Sequence, residues 1–139
     1  MIAHFAHLVF LCLWGGFVLA ESVMELASKD DATRRYTARM HYWMDLLIEL
    51  PLVAGVVVTG IILVVGAWPL SGLHVVKIGA ALIPVVVNLC CIRTVVRRYG
   101  HRDDPDAVQR HTRQVGVWAF IGMPFAAVAA VLGLVYFSR

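Results

Sequence analysis

The chain has 139 residues, 60% of them hydrophobic, with a mean hydropathy of +0.79 and a formal net charge of +3. A water-soluble domain of this size would expose too much apolar surface, so a bilayer is the expected solvent and a single transmembrane domain over 1–139 the expected unit. No patch interleaves Arg and Lys with aromatic residues, which argues against a nucleic-acid partner.

Four apolar segments each approach the ~20 residues needed to cross a hydrocarbon core. They predict helices over about 2–26, 38–66, 72–98 and 105–137. The expected fold class is all-α, an integral membrane antiparallel four-helix bundle. The first segment lacks a positive n-region and a convincing cleavage site, so it reads as a mature helix. Cys12, Cys90 and Cys91 all lie in apolar runs. An odd number with two adjacent does not suggest a disulfide framework, and small buried hydrophobes are their plainest role.

At about 100° per residue, His7 and Glu25 share one angle of the first helix. Trp14, Glu21 and His4 fall within about 60° of it, so that helix carries one polar stripe. The second helix opens with "HYWMDLLIEL", where His41, Asp45 and Glu49 recur every four residues along one face. In the third, His74, Lys77 and Asn88 lie within about 60° of one another. The fourth starts at Pro105 behind an Asp104 cap. It has no ionisable residue after His111 and Arg113, and Trp118, Phe120 and Phe125 are expected to close the bundle. Pro51, Pro84 and Pro124 fall inside helices and predict kinks. His101 reads as a solvated loop residue and His111 as interfacial.

Ten of the twelve Lys and Arg lie on one side of the apolar segments, in the connections after the first and third helices or in the helix ends that flank them. By the positive-inside rule these face the cytoplasm, and both termini face outward from an inner membrane. Ionisable groups in a bilayer face the bundle interior, so three stripes imply a common polar core. Depth then sorts them into two sites. His4, His7, His74 and Lys77 lie toward the outer surface. Glu21, Glu25, His41, Asp45, Glu49 and Asn88 lie toward the cytoplasm.

Two chemistries suit these sets. Haem b needs inward imidazoles at matching depth and apolar walls. His7 and His74 would bind its iron, Trp14, Gly15, Gly16 and Gly79 would supply wall and clearance, and Lys77 would pair a propionate or pass a proton. Asp45 and Glu49 would carry protons to it, and His41 with His111 offer ligands for a second haem. A quinol or porphyrin-like molecule would be the redox partner, making the chain a membrane oxidoreductase or electron-transfer protein. Alternatively, Glu21, Glu25, His41, Asp45 and Glu49 form an oxygen-rich set with one nitrogen, suited to Fe, Mn or Zn, catalytic or transported. A third reading is an accessory subunit of a larger membrane complex. Glycine-rich faces of the first two helices also allow a homodimer.

The run "HLVFLCLWGG" (residues 7–16) resembles the first helix of two related membrane families. These are the haem-binding protoporphyrinogen oxidases of the HemJ type and the four-helix copper-resistance D (CopD) proteins. "LHVVKIGAALI" is similar to the start of the third helix in the former, and Thr59–Gly60 to a pair ending the second helix in both. The resemblance implies that His7 is an axial haem ligand and that Lys77 acts near the cofactor. "HYWMDLLIELP" has no counterpart in either family.

Overall fold

The computed structural model describes residues 2–136, except the Tyr136 side chain. The expected helix end at 137, and Arg139, lie outside the described residues. The chain forms four long helices: α1 (Ile2–Ala27), α2 (Asp31–Gly66), α3 (Gly72–Gly100) and α4 (Pro105–Tyr136). No strand occurs among the described residues. All four helices are long and apolar enough to cross a membrane.

α2 starts seven residues before the expected 38. Asp30 caps it, accepting the Thr33 backbone N–H at 2.9 Å while the Thr33 hydroxyl accepts the Asp30 N–H at 3.3 Å. This is a reciprocal capping box with Thr in place of the usual Glu. The cap lets a polar turn precede the apolar run. Ser71 caps α3, and Asp104 caps α4 by accepting the N–H groups of Asp106 and Ala107.

The irregularity expected at Pro51 takes the form of a π turn over Asp45–Glu49. Pro51 has no N–H, and its ring crowds the carbonyl four residues back. Just before it, the Leu50 N–H bonds to Asp45 O, one residue further than in an α-helix. Such turns concentrate at functional sites, and Asp45 and Glu49 bracket this one.

Partners along neighbouring helices run in opposite order. His7 meets Thr59, Trp14 meets Glu49 and Glu25 meets His41 between α1 and α2. Trp118 bonds Thr94 and Thr112 bonds Arg98 between α4 and α3. Asn88 reaches Glu49, and Arg98 approaches His41, between α3 and α2. The apolar core is small, centred on Trp14, Val53 and Val56 with Phe10, Leu11, Val18, Leu52 and Val85 around it. Large apolar side chains instead cover the outside. Phe120 is 81% exposed and Phe125 40%, so neither closes the bundle as expected. Trp118 does face α3, through its indole bond to Thr94. The inward strip of α4 is made of small and β-branched residues, because α3 and α4 approach closely. A Cβ on Gly122 would lie 3.1 Å from Val87. Similarly, Gly15, Gly16 and Gly79 face open space, whereas Gly55 and Gly60 pack against Phe10 and His7.

Candidate metal centre

The five residues expected to form the inner carboxylate–histidine set come together. α1 contributes Glu21 and Glu25, and α2 contributes His41, Asp45 and Glu49. His41, Asp45 and Glu49 are 3%, 1% and 2% exposed. Sequence reasoning counted Arg98, at the end of the third helix, among the basic residues of the cytoplasmic side, yet it is 0% exposed and its guanidinium enters this cluster. Its signal was in the register of α3: relative to Pro84, Asn88 and Arg98 lie about 40° to either side. Both residues are therefore on the buried face.

His41 organises the geometry. Its Nδ1 lies 2.7 Å from Glu25 Oε1. A carboxylate only accepts, so Nδ1 carries the proton and donates it. Glu25 Oε1 also accepts from Arg98 Nη2 at 2.6 Å, and Arg98 Nη1 donates to Thr112 at 3.2 Å. In the neutral form of the ring Nε2 is then an acceptor. It faces Glu21 Oε2 at 3.5 Å and Asp45 Oδ1 at 3.4 Å. Ligand atoms of these three residues all lie within 4.8 Å of one another. Ligands about 2.1 Å from a tetrahedral ion sit roughly 3.4 Å apart, so the two separations from Nε2 suit a small metal ion. Protonation of Nε2 is the competing arrangement. Its contacts would be long beside the ~2.7–2.9 Å of charge-assisted bonds.

Other polar atoms point the same way. Among the described residues, Glu21 Oε1, both Asp45 oxygens and Asn88 Oδ1 are buried acceptors without a hydrogen-bond partner, and Arg98 Nε is a buried donor without one. Buried polar atoms are normally satisfied, so a group of orphaned oxygens calls for a cation or water. Charge gives the same answer. Four carboxyls face one guanidinium and one imidazole. Fully ionised, they sum to −2 even with His41 protonated. Burying such an excess costs several kcal/mol unless a cation or protons neutralise it. Glu49 lies at the inner edge, where Trp14 Nε1 (2.9 Å) and Asn88 Nδ2 (2.6 Å) both donate to its Oε1. Trp14, expected as a haem wall, is thus a hydrogen-bond donor to this cluster.

The outer set is arranged differently. His7 Nδ1 is 2.8 Å from the Thr59 hydroxyl, whose proton goes to Gly55 O at 2.6 Å. His74 sits in the first turn of α3, with Nδ1 2.8 Å from its cap Ser71. Lys77 lies along α4, where a Cβ on Gly133 would be 3.5 Å from its Cε. His111 does not join His41. It bonds Gln114 at 3.0 Å, and its ring lies 6.0 Å from that of His101. His101 is exposed and bonds the Arg97 carbonyl, as its loop position predicts.

Comparison with protein-family models, curated proteins and solved structures finds no match for this chain.

Proposed function

We propose that this chain is an integral membrane antiparallel four-helix bundle that binds a divalent transition metal through His41, Glu21 and Asp45. Fe, Mn or Zn suits a set with one imidazole and two carboxylates. The observation that carries the reading is the convergence of Glu21 Oε2 and Asp45 Oδ1 on His41 Nε2, at 3.5 and 3.4 Å, in a buried cluster whose Asp45 oxygens and Glu21 Oε1 have no hydrogen-bond partner among the described residues. Glu25 orients the imidazole through Nδ1, as outer carboxylates do for metal-bound histidines. Arg98 offsets part of the negative charge. Glu49, held one turn deeper, is placed to exchange protons with the centre.

Elemental analysis of protein purified without chelator tests this. Near-stoichiometric Fe, Mn or Zn is expected, lost in Asp45→Asn and His41→Ala and retained in His7→Ala. Equal metal content in all of these variants would overturn it. Glu25→Gln should weaken binding by roughly 10–100-fold.

Haem b at the outer end is the second reading, resting on the likeness to the HemJ and CopD families. The Thr59 hydroxyl donates to Gly55 O, so it accepts from His7 Nδ1–H and leaves Nε2 as the ligating nitrogen. A Soret band with split α and β bands on reduction, bleached by His7→Ala, would support it. A colourless preparation would sink it.

A further inference from the structure

At the charged end, outside the carboxylate cluster, lies a cavity of about 280 Å³ lined by Arg35, Tyr36, Arg39, Arg102 and Asp103. It joins the first turns of α2 to the turn after α3. Arg35 and Arg39 are four residues apart, so they project from one face of α2. Both are exposed, and neither forms a salt bridge among the described residues, whereas nearby Arg34 pairs with Asp31. Arg102 is held in place. Its guanidinium sits 4.8 Å above the Tyr99 ring, and Nη1 donates to Tyr99 O at 3.3 Å. Tyr99 in turn stacks on Tyr42 at 4.2 Å, which ties the turn to α2. Three guanidiniums against the single carboxylate of Asp103 leave the lining with net charge +2. Guanidinium forks match phosphate oxygens in geometry, and stacking on an aromatic ring lowers the entropy lost on binding.

We propose that this pocket binds a phosphate group, with Arg35, Arg39 and Arg102 converging on its oxygens and Tyr36 flanking it. The volume holds a headgroup-sized phosphate and not an acyl chain. The group can therefore belong to an anionic lipid, whose tails stay in the bilayer, or to a free phosphate. The lipid source rests on the membrane reading above; the pocket's chemistry does not, and neither depends on the metal centre.

The test uses full-length protein in phosphatidylcholine nanodiscs containing increasing phosphatidylglycerol, with bound lipid counted by native mass spectrometry. A second arm follows inorganic phosphate by phosphorus NMR line broadening. The variants are Arg35→Gln/Arg39→Gln/Arg102→Gln and a control with equal charge loss, Arg93→Gln/Arg110→Gln/Arg113→Gln. Circular dichroism and thermal melting check that each is folded. Retention of phosphatidylglycerol should fall roughly tenfold or more in the pocket variant and little in the control. Asp103→Asn should tighten binding. Selective loss in the lipid arm assigns a lipid phosphate, and selective loss in the inorganic arm assigns free phosphate. Equal losses in the two triple variants, or no binding in either arm, would overturn the proposal.

Discussion

Arg98 shows how much one buried residue can decide. Its guanidinium bonds Glu25 and Thr112 and lies 3.1 Å from His41 Nδ1, so it ties α3 to α1, α2 and α4 at once. Removing one member of a buried ion pair strands the other. Arg98→Met should therefore lower stability by about 3–5 kcal/mol, read by thermal unfolding in detergent. Adding Glu25→Met should recover most of that loss, because an apolar pair replaces an ionic one. It should not recover metal, since His41 loses its orienting carboxylate. A double variant as unstable as the single would show that Arg98 acts through something other than this pair. Chelation of the wild type should lower the melting temperature, and the Asp45→Asn variant should be insensitive to chelator.

Among the helices, the close approaches set the limits. A Cβ on Gly55 would lie 2.6 Å from two carbons of the Phe10 ring. Gly55→Ala must displace that ring within the core around Trp14, at a cost of about 1–3 kcal/mol. Gly116→Ala, with nothing within 4 Å, should be neutral or slightly stabilising. Matching melting temperatures for the two would contradict the packing of α1 on α2. The start of α2 carries its own pH dependence. The Thr33 backbone N–H, then the Thr33 side chain, hold the exposed Asp30 carboxyl below its usual range. A carboxyl with a depressed folded pKa contributes stability above its unfolded value and loses it as pH falls through the folded one. Helical NMR shifts over 31–34 should fade in that acidic window. Asp30→Ala should lack them at every pH.

At the scale of the molecule, the cavity of Arg35, Arg39 and Arg102 brings both charged connections to one end. With Arg98 withdrawn into the core, nine of the ten basic residues of these segments remain to set orientation. That excess still predicts a cytoplasmic location for this end. In a variant freed of Cys12, Cys90 and Cys91, Trp68→Cys should react with an impermeant maleimide on intact cells. Asp103→Cys should react only after lysis. The reverse pattern would invert the proposed topology.

Composition and periodicity were enough to specify four long apolar helices, because segment length and hydropathy are local properties of the chain. The i, i+4 spacing of His41, Asp45 and Glu49, and the matching stripe of α1, likewise placed five metal-capable residues on facing surfaces. Helical angle predicts which way a residue faces, but not what it meets. Depth along the helices already set the outer histidines apart from the cluster, but only the tertiary structure gave His7 to Thr59 and His74 to its own cap. Only it turned Phe120 outward and set Gly122 against Val87, where a Cβ would lie 3.1 Å away. It also moved Arg98 from the charged cytoplasmic end into the core. A guanidinium is stable in such a core only beside carboxylates, and its partner Glu25 lies 73 residues away along the chain. That pairing orients His41 so that Nε2 faces Glu21 and Asp45, which makes a polar stripe into a candidate metal centre.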